Sequence, residues 1–320
     1  MERARVGSSG LEVSRLALGT MTWSRDTNAD EAGQQIDAFL DAGGTLLDTA
    51  ATYADGGSET LIGALLGGTI ARDDVQICTK AGIKRTDRGG MIDASRDTLL
   101  GTLDASLARL GTDHVDVWLV HAFDAVTPLD ETLHALEIAV NSGRARYVGV
   151  SNFPAWAMTR IATMATGRPA IAVTEVEYSL LQRGIEREVL PAADALGMGV
   201  LGWSPLGRGV LTGKYRDAIP ADSRAASEHL AGFVAPYMGQ RAGAVVSALE
   251  TAAEGLGWSP LETALAWVLG RPGLTSAIVG ARTAAQLLPA LDAADLALPP
   301  AIGEALDEVS APVLGYPERR

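Results

Sequence analysis

A single cysteine, Cys78, stands in a chain of 320 residues. It excludes an intramolecular disulfide framework and any cysteine-rich zinc site. The four histidines, His114, His121, His134 and His229, have neither HExxH nor HxxxH spacing, so no metal is expected. Basic residues are scarce, with 26 Lys and Arg against 39 Asp and Glu and a formal net charge of −13. So acidic a chain argues against nucleic acid or an anionic membrane as partner, while a small anionic molecule needs only two or three local cations. No run approaches the roughly 18 to 20 apolar residues of a membrane span. The opening MERARVGSSGLEVS has no apolar stretch of the signal-peptide kind. Aromatic residues make up only 5%, yet 47% of the chain is hydrophobic, enough for a large core. A soluble, cytoplasmic globular protein is expected, with oligomeric state left open.

Familiar catalytic motifs are also missing. No G-x-S-x-G nucleophile elbow occurs, and no G-x-G-x-x-G follows the first apolar segment, which argues against a Rossmann domain.

What the chain does contain is a rhythm. Eight short apolar segments read as strands: Arg15–Gly19, Thr45–Ala50, Val75–Lys80, Val115–His121, Arg146–Ser151, Ile171–Glu177, Gly199–Ser204 and Ser276–Gly280. Most are nearly continuous in apolar residues, as parallel strands buried on both faces are. Helical patterns lie between them. Asn28 with Glu31, Ser259-Pro260 with Glu262, and Thr283 with Gln286 mark helix starts; Gly43-Gly44, Gly111 and Gly143 mark stops. The alternation predicts an α/β fold, a (β/α)8 TIM barrel forming one domain over residues 1–320. One segment breaks the rhythm. About 35 residues after Ser204, including GRGVLTGKYRDAIPADSRAASEH, form a long loop after the seventh strand. Connections so long are usually functional, and a barrel carries them at the end where ligands bind, so this one is read as a lid.

Polar residues stand at successive strand ends: Asp48 on the second, Lys80 on the third, His121 on the fourth, with Tyr53 in the loop after Asp48. Side chains alternate along a strand, so Leu46 shares a face with Asp48 and Leu119 with His121. Each ionisable group therefore tops an apolar inward column, a place that reads as catalytic in a barrel. A buried Asp48–Lys80 ion pair with a purely structural role is the alternative.

Here the sequence resembles the aldo-keto reductase family. The likeness is carried by Gly44-Thr-Leu-Leu-Asp48-Thr-Ala…Tyr53…Ser58-Glu59-Thr-Leu-Ile-Gly63, by Cys78-Thr-Lys80, and by Leu119-Val-His121-Ala-Phe-Asp124. Gly143-Arg-Ala-Arg-Tyr-Val-Gly-Val-Ser151-Asn152-Phe153, Ser204-Pro-Leu-Gly207-Arg-Gly and Val279-Gly280-Ala-Arg282-Thr-Ala-Ala-Gln286-Leu continue it in order. The resemblance implies a carbonyl reductase that binds NADPH in extended form, with a tetrad of Asp48, Tyr53, Lys80 and His121. Tyr53 would protonate the carbonyl oxygen as hydride arrives from the nicotinamide, and His121 would orient the substrate. A free tyrosine titrates near 10, and the Lys80 ammonium is expected to lower that value while Asp48 keeps Lys80 charged.

The same resemblance implies a cofactor path. Ser151 and Asn152 would hold the nicotinamide carboxamide, and Trp203 would stack on the ring. The segment Ser204, Pro205, Leu206, Gly207 and Arg208 would wrap the pyrophosphate with its backbone amides. Arg282 would meet the 2′-phosphate at a helix N-terminus, with Gln286 on the adenine. Gly19, Thr20, Met21, Glu175 and Gly280 are counted with them. Trp23 and Phe123 are candidate walls of the substrate pocket. Three positions depart from the family pattern. Glu175 replaces a glutamine that touches the carboxamide, Trp203 replaces a tyrosine, and Ala290 stands where an asparagine often helps hold the adenine. The readings carried forward are a reductase, a cofactor-holding sensor or accessory subunit with little turnover, and an aldolase or lyase using Lys80 as a Schiff base.

Overall fold

The computed structural model describes every residue except 69, 87–88, 217, 222, 314 and 316–320. Residues 217 and 222 of the long insertion, and the end of the expected domain, therefore lie outside the described residues. Twelve strands occur among those described: β1 (Arg3–Arg5), β2 (Glu12–Ser14), β3 (Leu16–Gly19), β4 (Leu46–Asp48), β5 (Gln76–Ala81), β6 (Ile83–Thr86), β7 (Gly89–Ile92), β8 (Val115–Val120), β9 (Ala145–Ser151), β10 (Ile171–Glu177), β11 (Gly199–Trp203) and β12 (Ser276–Val279). Eight close into a parallel barrel in the order β3-β4-β5-β8-β9-β10-β11-β12, with β12 returning to β3. Helices fill the crossovers, which makes the (β/α)8 barrel expected from the alternation.

Strand alternation divides the core in two. Leu46, Cys78, Leu119, Val173 and Leu201 point inward as one buried cluster. Leu16, Leu18, Leu47, Ile77 and Trp118 point outward onto the helices in another. Two antiparallel hairpins escape the sequence reading. One pairs β6 with β7. The other pairs β1 with β2 and adds Val6, Leu11 and Val13 to the inner cluster. This second hairpin meets Thr45 and Gly197, each just before a barrel strand, so it stoppers the end opposite Asp48 and Lys80.

The helix signals act largely as read. Asn28 Oδ1 accepts from Glu31 N–H at 2.9 Å. Ser259 and Glu262 complete a reciprocal box ahead of the helix Pro260–Leu269. Glu31 does not return to Asn28; its carboxylate accepts from Ala284 N–H at 2.9 Å and caps a different helix, Ala284–Asp292. The long insertion after β11 is not an open loop. It winds into short helical turns at Gly207–Thr212, Arg224–Ala226, Ala231–Val234 and Ala235–Tyr237. Among the described residues no helix is long and apolar enough to cross a membrane.

Candidate active site

The C-terminal ends of the strands open on a cavity of about 540 Å³, a size usual for small-molecule sites. Backbone conformation around it is unusual. Six described non-glycine residues have positive φ, and five are Ala54 and Asp55 directly after Tyr53, then Asn152, Ser204 and Arg208. Gly56 continues the run with φ +86°, so the chain turns sharply behind Tyr53. Left-handed backbone at non-glycine positions costs energy and clusters at functional sites.

At the cavity floor, β4 supplies Asp48 and β5 supplies Lys80. The Lys80 Nζ donates to Asp48 Oδ1 at 2.6 Å and to Thr49 O at 3.0 Å. It lies 3.5 Å from Tyr53 Oη and 3.3 Å from Glu175 Oε1 on β10. The rings of His121 and Tyr53 meet edge to face, centroids 6.1 Å apart. The three strand-end residues and Tyr53 are thus brought together, with Glu175 as a fifth member. Asp48, Cys78 and Glu175 offer atoms within 4.8 Å of one another, but the Lys80 ammonium already holds the cationic place between the carboxylates.

Electrostatics correct one expectation. Burial pushes the Tyr53 hydroxyl well above its usual value, and the opposing pull of Lys80 does not overcome it. Tyr53 therefore stays a neutral phenol, with a proton available to give. Asp48 and Glu175 outweigh desolvation at Lys80, whose pKa rises well above its ordinary value. An ammonium so held, buried and absent from the cavity wall, is a poor Schiff-base nucleophile. Burial and the Lys80 charge lower His121 to about 3, leaving a neutral imidazole. Burial, then Asp48, raises Glu175 to about 8.

Most of the anticipated cofactor residues line this cavity, from Gly19 and Met21 through Asn152, Glu175 and Trp203 to Ser204, Pro205, Leu206 and Arg208, then Gly280, Arg282 and Gln286. Others lie elsewhere. Thr20 is buried and donates to Asp48 O. Ser151 is buried behind Asn152, whose amide donates to Ser151 Oγ and His121 O and accepts from Trp203 Nε1 at 3.1 Å. Asn152 thereby locks Trp203 and the His121 backbone. The Gly207 N–H already bonds Ser204 O inside the turn. The helix N-terminus near Arg282 is internally satisfied by Glu31, Thr283 and Gln286, so anion attraction there comes from side chains. Ala290 is buried in the core and does not line the cavity. Trp23 is no pocket wall: fully buried, it donates from its indole to Gln35 Oε1 at 3.1 Å. Phe123 packs edge to face on Phe153 and Trp156, away from the cavity lining.

The structure adds residues the sequence reading missed. Lys214 and Arg224, both from the insertion, join Arg282 at one end of the cavity, and Ser223 stands beside them. Burial first, then the neighbouring Arg282, lowers Arg224, and burial lowers Lys214, so cations are crowded there. The signal was present as four basic residues, Arg208, Lys214, Arg216 and Arg224, inside one insertion of an acidic chain. Arg208 also does more than line the turn. It forks onto Glu177 at 2.7 and 2.6 Å and lies 4.0 Å over the Phe233 ring, pinning the insertion to β10.

Three buried polar atoms of cavity-lining residues have no hydrogen-bond partner: His121 Nδ1, Glu175 Oε2 and Ser223 Oγ. Unsatisfied groups of His121 and Glu175 at the catalytic end, with Ser223 and three cations at the other, fit an elongated anionic cofactor such as a nicotinamide dinucleotide.

Comparison with known proteins agrees with this geometry. The profile described as "Aldo/keto reductase family" matches residues 15–311. An "Uncharacterized oxidoreductase YrpG" of Bacillus subtilis (strain 168) is 35% identical, over 97% of this chain and 96% of its own length. A "Probable voltage-gated potassium channel subunit beta" of Oryza sativa subsp. japonica is 34% identical, over 100% and 98%. An "L-glyceraldehyde 3-phosphate reductase" of Escherichia coli (strain K12) is 34% identical, over 90% and 86%.

Proposed function

Because the chain belongs to the aldo/keto reductase family, we propose that it reduces aldehydes or ketones with NADPH, using Tyr53 as the proton donor. The observation that carries the reading is the line Asp48–Lys80–Tyr53, which ends with a half-buried tyrosine hydroxyl at the cavity. When bound, the reduced nicotinamide supplies the hydride. Tyr53 Oη gives its proton to the carbonyl oxygen, and Lys80 stabilises the phenolate left behind. Asp48 keeps Lys80 charged and oriented. His121, neutral, holds the carbonyl oxygen by a hydrogen bond beside Tyr53. Trp203, fixed by Asn152, offers a flat face to the nicotinamide. Arg282, Arg224 and Lys214 would hold the 2′-phosphate, which favours NADPH over NADH.

The test is NADPH oxidation with an activated aromatic aldehyde. Tyr53→Phe is expected to lower turnover by roughly 10²- to 10⁴-fold, the usual worth of a positioned proton donor, while NADPH still binds. Normal turnover by this variant overturns the role of Tyr53.

A second reading is favoured by the relatives named as potassium channel beta subunits, 34% and 33% identical over the whole chain. In it the protein binds NADPH as a sensor or accessory subunit and turns over slowly. Bound NADPH without measurable oxidation across a panel of carbonyls supports this second reading over the first.

A further inference from the structure

An ionised Glu175 would carry more charge than its surroundings balance. Two carboxyls, Asp48 and Glu175, share the single Lys80 ammonium at 2.6 and 3.3 Å, and all three side chains are almost completely buried. One ammonium offsets one carboxylate, and a second charge left in the same dry place is costly unless it takes a proton. The other groups facing Glu175 do not supply the missing charge. His121 is a neutral imidazole, and Tyr53 and Cys78 are held neutral by burial. On β10 itself, Glu177 is paired with Arg208. Glu175 Oε2 has no hydrogen-bond partner, and the residue forms part of the cavity wall.

We propose that Glu175 is a protonated carboxylic acid that selects the redox state of the cofactor, ionising when the oxidised nicotinamide binds and keeping its proton when the reduced one does. The inference rests on the nicotinamide reading above. Oxidised nicotinamide carries a positive charge that the reduced ring lacks. A carboxylate in a low-dielectric site attracts the first and gains nothing from the second. Linkage then requires that oxidised cofactor draw the proton off Glu175, releasing one proton to solvent, and that rising pH favour the oxidised form. Burial and Asp48 already bring this carboxyl up to about 8, within a workable pH range. Near neutral pH the acid form leaves the reduced cofactor unpenalised, which suits a reductase.

Dissociation constants of NADP+ and NADPH, read from quenching of tryptophan fluorescence at about pH 6.5 and about pH 9, test this. Their ratio cancels the titration of the cofactor's own phosphates, which ionise near 6. In the wild type the ratio is expected to move about tenfold toward NADP+ on raising the pH, the equivalent of one unit of pKa difference; in Glu175→Gln it is expected to stay constant. A wild-type ratio independent of pH, or the same shift in the glutamine variant, overturns the inference and leaves the cofactor reading standing. Wild type that binds neither nucleotide overturns both. Where Glu175→Gln fails to fold, an indicator dye near pH 8 decides with the wild type alone. Proton release with NADP+ and none with NADPH supports the inference, and equal release with both overturns it.

Discussion

Lys80 and Asp48 form an ion pair with a 2.6 Å contact that solvent does not reach. Removing the cation strands two carboxyls in the interior, because Glu175 leans on the same ammonium. Lys80→Met is therefore expected to cost about 3–5 kcal/mol, the range for breaking a buried pair, and to remove most turnover. Thermal unfolding and steady-state rates check both halves. An unchanged melting temperature means that the pair contributes nothing to the fold.

Three cations at one end of the cavity act on one charge. Arg282→Ala and Arg224→Ala are each expected to raise the KM for NADPH about 10- to 100-fold, taking about 1.5–3 kcal/mol for a hydrogen bond to a charged group. The KM for NADH is expected to change little. Equal effects on both cofactors refute contact with the 2′-phosphate.

Arg208 holds the insertion by a fork and a stack at once. A lysine reaches neither geometry, since it has no planar group to lie on Phe233 and no second donor in the same plane. Arg208→Lys is expected to speed limited proteolysis within residues 205–239 and to weaken NADPH binding roughly tenfold, from the loss of about 1.5 kcal/mol in charged hydrogen bonding. Cleavage at the wild-type rate argues that other contacts hold the segment.

Acidity has a sign that can be worked out for Glu175. Its folded value, about 8, lies above its ordinary 4.5, so between these limits the folded chain holds a proton that the unfolded chain has lost. The stabilisation is full below about 4.5 and disappears as pH rises through about 8. Glu175→Gln is expected to flatten the fall in melting temperature between pH 5 and pH 9. An identical slope in both proteins contradicts the raised value.

Much of this arrangement was readable from residue order, for physical reasons. Strands buried on both faces must be apolar throughout, so the barrel strands stood out to within about two residues at either end. Asp48, Lys80 and His121 stood out because ionisable groups at the ends of such runs need a purpose. The hairpin of β1 and β2 did not, because its short strands, Arg-Ala-Arg and Glu-Val-Ser, hold no apolar run to detect. Trp23 and Phe123 could not be placed from residue order, because a large aromatic in a loop packs equally well beneath the surface or along a cavity, and only contacts with Gln35, Phe153 and Trp156 decide between these. Lys214 and Arg224 were missed because the insertion's path over the barrel is fixed by distant partners such as Glu177. The net effect on Tyr53 went the other way because it is the difference of two opposed influences, burial and Lys80, and sequence order gives neither distance nor depth.

The stopper formed by Val6, Leu11 and Val13 makes the barrel a cup with one rim. Whatever reaches Tyr53 must leave by the route it entered, so arriving and departing molecules queue at a single doorway. The insertion pinned by Arg208 stands at that rim and lines the cavity, so its hold on β10 shapes the doorway itself.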